Sequence, residues 1–331
     1  MKNLEIRISE DPEVWDRFVC NSPQGTVFLS VDFIIGLSIH YELVTLYDGD
    51  EIVAGTVIFY EVNSKEAIKE LFLFMRYQGI VLGDFMDLHV HSRISYEYKI
   101  MTYFLEKLTE KYDQLSFCNS WKLNDVRPFQ WCNYHAPENG QFEIKLRYTG
   151  IIDLEKYSDF AEYLSKIRIL RRREWKKASR NFVVEVTDDI DLLLDIHDKT
   201  YKRQDIELPE QLRKYIYSIV DNALRSGYGK MMKATGSDGT VDSVKFFLYD
   251  DVCAYYLFGG NNPDGRGSGA STLLMLNFIK DAMTKGLKYV DFCGVNSPNR
   301  GDYKISFNAE LKPYFVTNYV KGRALPIGDN S

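Results

Sequence analysis

The sequence is poor in the residues that most often carry chemistry alone: of 331 residues, five are cysteine, five histidine and nine proline. Cys20, Cys118, Cys132, Cys253 and Cys293 are scattered, with no CxxC or Cys/His spacing. This argues against a disulfide framework, and the odd count among apolar neighbours reads as reduced thiols in a reducing compartment. His89-Val90-His91 alternates as on one strand face, but no third ligand follows, so no metal is expected. A GxSxG elbow and a Cys/His dyad are both missing, which argues against covalent catalysis. No apolar run approaches the roughly 20 residues that span a bilayer. The first residues, Met-Lys-Asn-Leu-Glu-Ile-Arg, lack the apolar core of a signal peptide. A cytoplasmic protein without membrane insertion is expected. Positive charge is in deficit too: 41 Lys and Arg stand against 47 Asp and Glu, a net charge of −6. That balance argues against binding DNA, and any anionic ligand must be met by a local basic cluster.

What is present is enough chain for two cores, with 45% hydrophobic residues to fill them. Leu4–Ile8 alternates as a strand, and Asp11-Pro12-Glu13 opens a helix through Val19. A second helix follows Ser30. Tyr41–Tyr47 and Glu51–Glu61 flank an Asp-Gly-Asp turn as a hairpin. A helix is predicted over 93–111, and strands at Gln114–Cys118 and around Gln141–Leu154. From about 148 the order begins again: a long helix over Ser158–Asn181, a strand at Phe182–Val186, and helices at Asp189–Tyr201 and Pro209–Ser226. A hairpin through the Gly-Ser-Asp-Gly turn at 236–239 follows, then a strand at Val252–Phe258, a helix near 270–285 and a strand at Lys288–Phe292. Both halves run strand, helices, antiparallel strands, helix, strand, which predicts domains 1–148 and 149–331.

One segment points to chemistry. A buried strand containing Tyr256 and Phe258 runs into a stretch with Gly259, Gly260, Gly265, Gly267 and Gly269, which opens a helix at Ala270. Glycines let a backbone bring its N–H groups close to an anion, and a helix N-terminus adds a favourable dipole. The stretch reads as a pyrophosphate cradle or as a plain hairpin loop; it is not a Walker loop, since no Lys-Ser/Thr follows. The helix from Lys166 to Arg180 places Arg168, Arg172 and Lys176 on one face, either as a solvated surface or as a surface meeting phosphates. Asp291 lies among apolar neighbours and needs a partner, as a general base or as a structural acceptor. His135 follows Phe129, Trp131 and Tyr134 and faces an acceptor or sits in a loop.

Strand, glycine loop, helix and Asp-bearing strand resemble the GNAT superfamily, and more narrowly its Fem-like and BioF2-like tandem proteins. The matching residues are Tyr255-Tyr256, Gly259-Gly260, Arg266-Gly267-Ser268-Gly269-Ala270, Tyr289–Gly294, Tyr303–Phe307 and Pro313-Tyr314. Further matches are Arg168–Ala178, Thr200–Gln204, Gly25–Ser30, Tyr77–Ile80 and Arg147–Leu154. The resemblance implies an α/β (mixed α+β) fold of two GNAT-like domains, each a largely antiparallel sheet flanked by helices. It implies an acyl-CoA-dependent N-acyltransferase whose second domain holds coenzyme A through Tyr256, Phe258, Gly259, Arg266, Gly267, Ser268, Gly269 and Ala270, while the first serves the acceptor. The family setting gives Lys304 to an oxyanion or a phosphate, and Arg203 to an acceptor diphosphate, with Arg172, Tyr77, Asn296 and Tyr303 also on the acceptor. An amino-sugar amine attacking directly needs only a modest base: Asp84, Asp291 or His135. The expected partners are acyl-CoA and a nucleotide-linked amino sugar of surface-polysaccharide synthesis, and a homodimer is compatible with them. Two other readings stand beside it: Fem-type transfer from aminoacyl-tRNA to a cell-wall precursor, and a non-catalytic binding protein. Asp264 supports the last, for it stands where the common GNAT loop has Arg or Gln.

Overall fold

The computed structural model describes residues 3–61, 66–68, 74–202 (backbone alone for 200–202), 209–265, 267–298 and 300–325. The chain forms two compact units: Met1–Ile35, Ile39–Arg147 and Pro313–Ser331 make one, Gly36–Ser38 and Tyr148–Lys312 the other.

In the first unit, β1 (Leu4–Ser9) leads to α1 (Pro12–Asn21), which starts because the Asp11 carboxylate accepts from the Glu13 and Val14 amides and Pro12 needs no donor there. α1 buries Trp15, whose Nε1 donates to Leu29 O at 2.7 Å. A short α2 (Val31–Gly36) follows, then β2 (Tyr41–Asp48) and β3 (Glu51–Phe59), turned by Gly49 at φ +70°. With β4 (Val81–Leu82) they form an antiparallel sheet of order β1-β2-β3-β4. Next come α3 (Val90–Lys111), β5 (Gln114–Cys118) and the one-turn α4 (Arg127–Gln130). Ile100, Met101, Phe104, Leu105 and Leu108 of α3 pack with Leu46, Ala54, Phe117, Phe129 and Tyr319 in this unit's core.

β6 (Phe142–Asp153) is one strand through the boundary at 147/148. The second unit continues with α5 (Phe160–Lys166), α6 (Ile169–Asn181), β7 (Phe182–Val186), α7 (Ile190–Lys202) and α8 (Glu210–Arg225). β8 (Gly229–Gly236), β9 (Val241–Tyr249), β10 (Cys253–Asn261), α9 (Ala270–Thr284), β11 (Tyr289–Asp291) and α10 (Gly301–Ile305) complete it. Its strands lie in the order β6-β11-β10-β9-β8-β7; β10 and β11 are parallel and the other neighbours antiparallel. Both units are thus largely antiparallel sheets flanked by helices. The core of the second is α9, buried on almost every side, with Phe278 stacked on Phe247 at 4.0 Å between centroids.

Four expectations change. The long helix is two, because Ile167 and Arg168 are both extended; Ile167 enters the core, and the Arg168 amide donates to Ser306 O at 3.1 Å. His89 and His91 start α3, where their rings stack at 6.1 Å, instead of alternating on a strand. Gly259 and Gly260 belong to β10, not to the loop, for a Cβ at Gly260 would stand 2.7 Å from Ile196 O of α7. The last strand, β12 (Glu310–Val320), pairs residues 316–320 with β5, so Pro313–Ser331 fall in the first unit.

Candidate functional site

β10 and β11 run together for three residue pairs, ending at Tyr255↔Asp291. There β11 stops, while β10 continues to Asn261 with a bulge against β9 between Tyr256 and Phe258. From Tyr256 onward β10 no longer pairs with its parallel neighbour, and the site is built around this end of the ladder.

The first turn of α9 faces this region. Its start is set by Gly267 and Gly269, at φ +83° and +87°, values a side chain makes costly. Gly269 has no side-chain cap, and only the Ser268 hydroxyl accepts from the Ala270 amide, at 3.3 Å. The α6 backbone comes close: a Cβ on Gly269 would lie 3.0 Å from Glu174 O. The Glu174 carboxylate accepts from Thr272 Oγ1 at 2.6 Å and from Arg171 at 2.5 Å, a negative group on the favourable side of the α9 dipole. Arg171 also lies over the Tyr303 ring at 4.8 Å, and the Tyr303 hydroxyl meets Ser271 Oγ at 2.9 Å.

The end of β11 is fixed by Asp291. Fully buried, it accepts from Thr149 Oγ1 at 2.5 Å and from the Cys293 amide at 2.7 Å, and Thr149 accepts from the Gly294 amide at 3.0 Å. These bonds make Asp291 the acceptor that holds a turn whose Cys293 and Gly294 both have positive φ. Lys304 ties α10 to the same turn, its Nζ donating to Phe292 O at 2.7 Å and Gly294 O at 2.8 Å, with the charge 5.2 Å from the Tyr256 ring centroid. Asn296 bridges the Tyr148 amide and carbonyl, at 2.9 and 2.8 Å.

Tyr256, Tyr303, Lys304, Ser268, Gly269 and Ala270 therefore converge on this end of the ladder in the second unit. Phe258 lies apart from them, packed on His197 at 5.1 Å and on Phe246. Gly259 is a strand residue opposite Lys245. Arg172 is half-buried, and its Nε has no hydrogen-bond partner among the described residues. Arg203 and Arg266 lie outside the described residues. In the first unit, Tyr77 is a core residue at φ +51° between Phe28 and Tyr314, with its side chain 1% exposed. Asp84 is exposed on a surface depression of about 740 Å³ with Phe85, Asp87, His91, Tyr96 and Lys99. His135 is exposed against the Tyr134 ring. Among the described residues no group of three His, Cys, Asp or Glu could hold a metal, and no helix is long and apolar enough to cross a membrane.

Sequence reasoning missed Lys245. It is 2% exposed in β9, donates to the Tyr256 hydroxyl at 3.3 Å, and burial pushes its ammonium below the usual lysine range. The available signal was a single charge in the apolar run Val244–Leu248.

Residues 165–304 match the acetyltransferase (GNAT) domain family model. Among solved structures, the chain is similar to FemX (12% identity, 94% of this chain and 96% of that one, TM-score 0.70). It is also similar to a tandem GNAT protein from the clavulanic acid biosynthesis pathway (11%, 98% and 100%, TM-score 0.53) and to L-PGS from Bacillus licheniformis (13%, 98% and 96%, TM-score 0.51). No curated protein matches the sequence. Residues 165–304 thus make up an acetyltransferase (GNAT) domain, and the chain as a whole shares the fold of a tandem GNAT protein.

Proposed function

We propose that the protein is an N-acyltransferase that moves an acyl group from acyl-coenzyme A to the amine of a nucleotide-linked amino sugar. The observation that carries the donor half is the end of the β10–β11 pairing before Tyr256, beside the α9 N-terminus. The residues present fit the group: two left-handed glycines bring backbone amides to the start of a 15-residue helix whose N-cap makes no side-chain bond. Gly267, Ser268, Gly269 and Ala270 would hold the pyrophosphate. When bound, coenzyme A supplies the acyl group as a thioester. Tyr256 stands at this end of the ladder, and the Lys304 charge stabilises negative charge that develops there. The acceptor amine attacks directly. The acceptor half is supported by the contrast between a net charge of −6 and the exposed Arg173, Lys176, Lys177 and Arg180 of α6. Arg172, Arg203, Tyr303 and Asn296 are proposed for the acceptor, with Asp84 or His135 as the base and the first unit on the acceptor side.

A second reading, aminoacyl transfer of the Fem type, is favoured by two carboxylates near the start of α9. The carboxylate of Glu174 already meets the first turn of α9 at Thr272, and Asp264 stands in the preceding loop. Both oppose a pyrophosphate. Calorimetric titration with coenzyme A, alone and with dTDP or UDP, separates the two. Micromolar binding enhanced by one nucleotide supports the proposal, whereas no binding under any condition turns it to the aminoacyl reading or to a non-catalytic binding protein.

A further inference from the structure

Lys245 has no part in the reading above, and packing does not explain it. Its side chain is 2% exposed between Val244 and Phe246, and its one hydrogen-bond partner among the described residues is the Tyr256 hydroxyl. An ammonium in apolar surroundings, without a carboxylate partner among the described residues, is a cost to stability; methionine would fill the same space without it.

The local fold makes room for this contact. Gly259 stands opposite Lys245 in the β9–β10 register, and a Cβ there would lie 2.9 Å from Lys245 Cγ. Tyr256 pairs with Phe247, two residues along β9 and so on the face of Lys245. Phe247 stacks on Phe278, which places that face under α9. A lysine ammonium has donors only, so the Tyr256 oxygen accepts and its own proton must point elsewhere than Lys245. Tyr256 is also the first β10 residue beyond the last pairing with β11.

We propose that Lys245 is a positioning residue for acyl transfer: by donating to Tyr256 Oη, it holds the Tyr256 proton toward the group that leaves the acyl carbon. The inference rests on the acyl-transfer reading given above. The acceptor nitrogen bonds to the acyl carbon as the carbon–sulfur bond breaks. Tyr256 gives its proton to the departing sulfur and recovers one from the nitrogen, which sheds it on becoming an amide.

The test compares wild type, K245M, Y256F and the double variant with acetyl-coenzyme A and a dTDP-linked amino sugar. K245M is expected to lower kcat by about 10–100-fold, with KM for acetyl-coenzyme A unchanged and Tm equal or higher. In the Y256F background K245M should cost nothing further. In protein labelled with [ζ-13C]tyrosine, the Tyr256 resonance, assigned through Y256F, should move in K245M. An unchanged kcat, or the same loss in both backgrounds, overturns the inference, as does a Tyr256 resonance that stays in place. A wild-type protein that transfers no acyl group overturns the function proposed above, and the resonance then decides separately whether Lys245 sets the hydroxyl.

Discussion

His197 of α7 is buried against Phe258, and burial, with a smaller push from Arg300, lowers its pKa from 6.5 to about 4. The unfolded chain takes up the proton first, so the stabilising contribution is complete above pH 6.5 and is lost as the pH falls toward about 4. We expect Tm to fall across that window and H197F to flatten the fall; parallel slopes for the two proteins would show that the ring is not held neutral. Gly269 is constrained differently, by φ +87° and by the Glu174 carbonyl. G269A should cost about 1–2 kcal/mol, read as a lower denaturation midpoint, and an unmoved midpoint would mean that the loop relaxes. Gly267 and Gly269 were legible as the turn into a helix, because closely spaced glycines ahead of an apolar helical run mark backbone that a side chain makes costly. Lys245 was half legible: the charge in an apolar run stands out, but its partner depends on a bulge that propensity does not announce. The carbonyls that hold Lys304 come from a turn set by Asp291 and Thr149, residues far apart in the chain.

Among the elements, hairpins were read most securely, since alternation and a glycine turn define them locally. The break at Ile167 was not, because no Pro or Gly marks it and the core position of Ile167 decides against a continuous helix. Gly259 and Gly260 misled for the converse reason: glycine reads locally as loop, whereas here it admits a neighbour to a strand. Gly260 lets the α7 backbone at Ile196 lie on β10. G260A should therefore destabilise by about 1–3 kcal/mol and lower the urea midpoint, and a variant as stable as wild type would show that α7 can withdraw. The first turn of α9 is balanced between Glu174 and any bound anion. Replacing that charge, E174Q, should tighten coenzyme A by roughly 2–5-fold in the calorimeter; weaker binding would assign Glu174 to holding Arg171 in place.

At the scale of the molecule, the repeated order of elements foretold two units, and that much follows from hydrophobic pattern alone, whereas their GNAT-like character came from the resemblance. The destination of the last strand did not. Glu310–Val320 alternates as a strand should, yet nothing in it names β5 as partner. A chain cut before Pro313 should leave 148–312 resistant to protease while residues 39–147 are digested; equal resistance of both would show that β5 does not need β12.

That pairing also sets an order of events on the ribosome. Domains fold as their residues emerge, the N-terminal one ordinarily first. Here residues 39–147 are made early and then wait, with β5 lacking its neighbour, until Val316–Val320 have cleared the exit tunnel. The later, contiguous stretch 148–312 can close before them. The half that is translated first is thus completed last, and for most of synthesis it is the half exposed to chaperones.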